Sequence, residues 1–397
     1  MEKAPSLDID NFSLVRGGLI YQLLVRVGLI KPGSFNVIQR SLFFVFITWL
    51  PLLLLSSVEG LAVGTALQVP FLKDIVAYSR FLVAVPVLIM AEVWIDISVK
   101  SAVKHFIYSG LVDTAELPDF KAAIREVNKL RDWLLIDGCL LVIAYLLTWI
   151  VFSEELSSVT SAWSAYGAGV NKQLTLAGWW YALLSLPIYQ FLLYRWLWRF
   201  LLWFRFLWRI SRLHLQLVPT HADLAGGLGF LGITQILFGS IPFVASAVLS
   251  ANFCRKVITQ GVSITTFQIQ IIVFLTLSVI ITLAPLLVFS SKMLKVKIWG
   301  LRQYGSLVSH HNLLFEQKWV RQEQHKEESP LGSPDISSLA DLGASFEAIK
   351  KMRIVPFSLS AVIGLGSTIF APLLPLFFIT IPLEQIFDLA KKILFGS

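Results

Sequence analysis

Seven apolar runs, each about the length of a membrane-crossing helix, recur through this chain and constrain its fold more than any motif does. They occupy roughly 41–58, 81–99, 134–152, 176–198, 227–250, 267–290 and 357–380. About twenty residues of helix cross a hydrocarbon layer ~30 Å thick. A composition of 56% hydrophobic residues over 397 positions is that of a membrane protein, not of a soluble core. Backbone polar groups have no water to bond inside a bilayer, and the alternating pattern of a barrel strand is missing. The expected fold is therefore all-α: a polytopic bundle of seven transmembrane helices with a helical cytoplasmic extension.

The distribution of Lys and Arg orients that bundle. With the N-terminus inside, the inner segments hold 26 of the 33 basic residues. The outer segments hold Lys73, Arg80, Lys172, Arg255, Lys256, Lys391 and Lys392. The positive-inside rule then places the N-terminus in the cytoplasm and the C-terminus outside, unless Pro372, Pro375 and Pro382 turn the last run into a re-entrant hairpin. The net charge of +8 lies along inner helix ends facing anionic lipid, so nucleic acid is not an expected partner. The opening MEKAPSLDID resembles neither a secretory signal nor a transit peptide, and the expected location is a bacterial inner membrane. Cys139 and Cys254 form no CxxC pair, which leaves no basis for a disulfide framework or a thiolate metal site.

Four regions follow: 1–40 with an interfacial helix, 41–290 with six spans, a cytoplasmic helical extension over 291–355, and 356–397 with the last span. In the first, Leu14, Leu19, Leu23, Val27 and Ile30 fall at helical spacing, which predicts a helix over 12–30 lying on the inner leaflet. Residues 119–152 read as one long helix, charged in its first half. In the extension, Leu294, Ile298, Leu301, Val308, Phe315 and Trp319 form a heptad-like seam for a sister helix or a neighbouring subunit, and homo-oligomerisation through 291–328 is expected. Six spans contain proline, which predicts bent helices.

Three groups of residues carry candidate chemistry. Arg195, Arg199, Arg205, Arg209 and Arg212 fall within about 140° of arc on one helix. The favoured reading puts them at headgroup level beside Trp196, Trp198, Trp203 and Trp208; the functional alternative is an anion path along the stripe. Glu92 and Asp96 lie one turn apart, either paired with Lys100, Lys104, Arg195 or Arg199, or serving as a charge relay. Asp137 is a third acid, with Arg131 as its candidate partner.

VPTHADLAGGLGFLG opens the fifth span. Its glycines stand in GxGxxG order without a preceding strand, which disfavours dinucleotide binding. Thr220 and Asp223 match a capping box, and the helix start beyond them is a candidate inner site for a phosphate or carboxylate. His221 and Asp223 add a polar pair at the inner mouth. No GxSxG or HExxH occurs, so no catalytic residue, metal ligand set or cofactor is assigned.

The reading that combines these features is a channel or transporter for a small anionic solute. Arg195 and Arg199 would attract the anion and Thr220 would form part of an inner site. A membrane scaffold or signalling partner is the alternative class, and a lipid-directed intramembrane enzyme using His221 and Asp223 a third.

Overall fold

The computed structural model describes residues 12–26, 28, 36–64, 67, 69–158, 162–166, 173–321 and 333–380. Val27, Ile30, Lys172, Pro382, Lys391 and Lys392 lie outside them. The described chain is all-α apart from one short antiparallel pair, Ala165–Tyr166 with Gln173–Leu174. Seven helices are long and apolar enough to cross a membrane: Val37–Val58, Ile75–Tyr108, Leu134–Ser153, Leu176–Ile210, Phe230–Gln260, Ile264–Val320 and Leu359–Phe378. These are the first to seventh spans below. Rings of exposed Leu, Ile, Val and Trp on their outer faces are what lipid contact requires, since hydrocarbon imposes no cost on them.

The second, fourth and sixth helices run well past hydrocarbon length. The sixth is one continuous 57-residue helix, about 85 Å at 1.5 Å per residue. Its C-terminal half pairs with the helix Pro334–Lys351 as a hairpin within the chain. Gly305 faces the ring of Phe346, Trp319 donates to Asp335 at 3.1 Å, and Lys318 pairs with the same carboxylate at 2.8 Å. The sister helix expected for the heptad-like seam is thus a neighbouring segment of the same chain, while Leu294 and Ile298 stay exposed.

Proline shapes the bundle through the carbonyls it releases. Pro51 has no N–H for the carbonyl of Ile47, and the indole of Trp180 donates to that carbonyl at 3.0 Å. Pro187 does the same to Leu183, whose carbonyl accepts from the Tyr145 hydroxyl at 3.0 Å. Neighbouring spans therefore supply the bonds that proline removes, as a bilayer interior demands. Widened π turns at Ser79–Ala84 and Tyr181–Ser185 precede Pro86 and Pro187 and take up the ring without breaking the helix. Arg80, expected in an outer loop, sits buried in the first of these turns and donates to the Tyr181 hydroxyl in the second.

Two expectations are corrected, and one of two readings left open for the last run is favoured. The helix over 119–152 is two helices, Leu117–Arg131 and Leu134–Ser158, separated at Asp132 and Trp133. Asp132 is drawn off the helix axis because its carboxylate binds the Gly18 N–H at 2.9 Å and Arg131 at 2.7 Å. Arg131 is thereby engaged with Asp132, not Asp137. Among the described residues of 12–30, where an interfacial helix was expected, the helix covers Gly18–Arg26. Phe12, Leu14 and Val15 instead plug the core, with Phe12 tilted against Phe206 at 5.2 Å. Gly17 permits this entry, because a Cβ there would collide with the Asp132 carboxylate. The last helix is not re-entrant within the described residues. It starts where Phe357 meets Gly232 at the head of the fifth span, and its Leu373 and Leu376 pack with Phe253, Cys254 and Phe267 at that span's far end.

Candidate functional site

Glu92 lies in the second span, 3% exposed, where an unpaired carboxylate would cost several kcal/mol. Two guanidinium groups meet it. Arg199 of the fourth span binds Oε1 at 2.8 Å, and Arg40 of the first span approaches Oε2 at 2.5 Å. Glu92 thus joins three helices through one carboxylate.

Arg195 stands one turn along the fourth span from Arg199, also buried, and its charge is felt by Glu92. It makes no hydrogen bond or ion pair with any described residue. Asp137 acts on it at longer range without an ion pair. Three buried guanidinium groups therefore share one close carboxylate, and further donor groups, Arg40 Nε and Nη1 and Arg199 Nη2, have no acceptor among the described residues. Guanidinium does not lose its proton in such a setting, so the excess positive charge persists. Trp196 braces the cluster: its indole donates to the Leu88 carbonyl at 2.8 Å, and Arg199 lies 4.8 Å from its ring centre.

A cavity of about 180 Å³ runs between the first, third and fourth spans, with Arg40 and Arg195 in its wall. Phe44, Leu141, Tyr145, Leu184, Pro187 and Leu192 complete most of the lining. The volume equals about six waters at ~30 Å³ each, room for a small anion or one end of a chain but not for a bulky ligand.

The five-arginine stripe divides along its length. Arg195 and Arg199 are buried inside the bundle, so they do not snorkel from its lipid-facing surface as the favoured sequence reading expected. Arg205 and Arg209 are about half exposed and both bind Glu126 of the helix Leu117–Arg131, Arg205 Nε at 2.8 Å and Arg209 at 3.2 Å. Arg212 stacks on Trp208 at 5.0 Å, as a surface arginine beside tryptophan does. Asp96 is a separate site: Lys100 pairs with it at 2.9 Å, Arg16 stands 3.8 Å away, and the Ser13 hydroxyl donates to it.

The loop before the fifth span differs from the sequence expectation. Residues 220–223 are not helical and the helix starts at Phe230, so Thr220 does not cap it. Asp223 occupies the place expected for an external anion. Its carboxylate accepts from the N–H groups of Ala225 (2.8 Å), Gly227 (3.1 Å) and Gly229 (2.8 Å), with His221 at 2.8 Å. Gly226 and Gly227 allow the wrap through φ of 66° and 97°. Burial pushes the Asp223 carboxyl up, but these N–H groups and His221 together hold it below the usual carboxylate range. Arg353 ties the loop to the seventh span by donating to the Asp223 carbonyl at 2.7 Å. His221 and Asp223 therefore form a closed loop brace, and neither binds the arginine cluster. Among the described residues no group of three or more His, Cys, Asp or Glu could hold a metal ion.

Sequence reasoning missed Arg40. Hydropathy starts the first span just after it, which assigns the arginine to a loop by construction. An arginine four residues ahead of Phe44 on the same helical face was the available signal. No family model, curated protein or solved structure matches the chain.

Proposed function

We propose that this multi-pass membrane protein is a channel or transporter for a small anionic solute, bound at Arg40, Arg195 and Arg199. Arg195 carries the reading: it is a buried cation at a cavity, with two more guanidinium groups beside it and one close carboxylate among them. An anion there would gain hydrogen bonds in low dielectric and relieve repulsion among the three cations. Arg205, Arg209 and Arg212, tied to Glu126 and Trp208, would act on the same side as a weaker, salt-screened attraction. The asymmetry of Lys and Arg supports a cytoplasmic N-terminus in a bacterial inner membrane, with these arginines facing the anionic inner leaflet. The exposed Leu294 and Ile298 support a homo-oligomer through 291–328, which includes the C-terminal half of the sixth helix.

The test is flux through purified protein in liposomes, with chloride, nitrate and phosphate gradients and empty vesicles as the control. Selective anion flux that falls at least tenfold in Arg195→Ala and Arg199→Ala is the expected result. Flux and anion preference unchanged in both variants would overturn the assignment.

A further inference from the structure

The anion need not arrive through water, because the cavity beside the cluster faces the bilayer. Leu141, Tyr145 and Leu184 line it and are each at least 36% exposed on surfaces that lipid covers. The spans run in alternating directions, so the lining residues can be ordered by depth. Arg40, Leu141 and Arg195 lie at one level; Phe44, Tyr145 and Leu192 lie about a turn deeper; Pro187 and Leu184 are deeper still. From Arg195 to Leu184 the cavity extends about 16 Å along the fourth span. Arg40 is only three residues inside the first span, which sets the charged end near the headgroup level.

This gradient has the polarity of a lipid. Two guanidinium groups stand at the end near the interface, and an apolar slot leads from them toward the bilayer centre. A hydrated inorganic anion would make use of the charged end only, and the slot would offer it nothing. A carboxylate or phosphate with one alkyl chain would use both, the head on Arg195 and Arg40 and the chain along Phe44, Tyr145, Ile188 and Leu184.

We infer that the site takes a single-chain anionic amphiphile, entering sideways from the bilayer between the first, third and fourth spans. The inference rests on the anion reading above and specifies its ligand class. Arg195 without an ion pair among the described residues, the charge at one end and the exposure of the apolar walls are the three observations that carry it.

Equilibrium binding to the purified full chain in a nonionic detergent tests it, with radiolabelled dodecanoate, acetate and inorganic phosphate as probes. Dodecanoate is expected to bind at least tenfold more tightly than acetate or phosphate. Arg195→Ala should abolish that binding. Leu184→Trp, a change on the lipid-facing surface that fills the slot, should weaken dodecanoate at least tenfold and leave acetate and phosphate unchanged. Equal affinity for all three probes, with Leu184→Trp silent, would overturn the amphiphile inference while leaving the anion site standing. Binding of no probe, or binding indifferent to Arg195→Ala in variants that stay monodisperse on size exclusion, would overturn both.

Discussion

The fourth span carries two arrangements built from the same parts, one glutamate between arginines, in opposite surroundings. Deep in the bundle, Arg199 and Arg40 hold Glu92, and all three are nearly solvent-free. About two to three turns along, Arg205 and Arg209 hold Glu126 at the surface, with Arg205 half exposed. Surface pairs of the second kind contribute little, because water already solvates both partners and salt screens them. In the first kind each charge has been stripped of water, so an uneven count has consequences. The surface group is balanced by solvent. The buried group is not balanced by its own carboxylate, and Arg195 makes the imbalance larger. The same pairing of one glutamate with two arginines is thus a surface fastening in one place and the core of the proposed ligand site in the other, and burial is what separates the two.

The sharpest way to break this comparison is to remove each glutamate in turn. Glu92→Gln would leave three buried guanidinium groups without their close counter-charge and should cost about 3–5 kcal/mol, read as a large fall in the thermal midpoint in detergent. A loss below 1 kcal/mol would mean that water reaches the cluster.

Asp223 provides an intermediate case, a carboxylate held by backbone N–H groups without an arginine. Asp223→Asn should cost about 2 kcal/mol near neutral pH. Its native carboxyl sits below the usual range, so its contribution is complete above an ordinary carboxylate pKa of about 3.9 and is lost as pH falls through the depressed native value. The gap between wild type and variant should therefore close on acidification. A gap constant down to pH 2 would contradict that assignment.

Smallest is Glu126→Gln, expected below about 1 kcal/mol and vanishing in 1 M salt. An effect equal to that of Glu92→Gln would erase the distinction between the two groups.

Hydropathy made most of the fold legible. Every span but the second starts within a few residues of its apolar run, while the second, fourth, fifth and sixth end well beyond it. Those overruns are polar and leave the hydrocarbon, so an apolar window has no means of seeing them. The break at Asp132 was hidden because its cause, the Gly18 N–H, lies 114 residues away. The pairing of Glu92 with the fourth span was one of the readings the sequence offered, since helical spacing places both groups on inward faces. Arg40 was hidden, because which span packs beside Glu92 is a tertiary fact. The anion site expected at the fifth helix was closed by Asp223, whose wrap depends on two glycines at positive φ rather than on any spacing rule.

The central claim is that Arg195 is kept for a ligand and not for the fold. Thermal unfolding of wild type and Arg195→Ala, with and without dodecanoate or phosphate at constant ionic strength, tests it most directly. The account predicts that Arg195→Ala without ligand is at least as stable as wild type, since a buried and under-compensated charge has been removed. It also predicts that ligand at a hundred times its dissociation constant stabilises wild type by about 2.7 kcal/mol and leaves the variant unchanged. A variant destabilised by about 3 kcal/mol without ligand, or shifted by ligand as much as wild type, would contradict it.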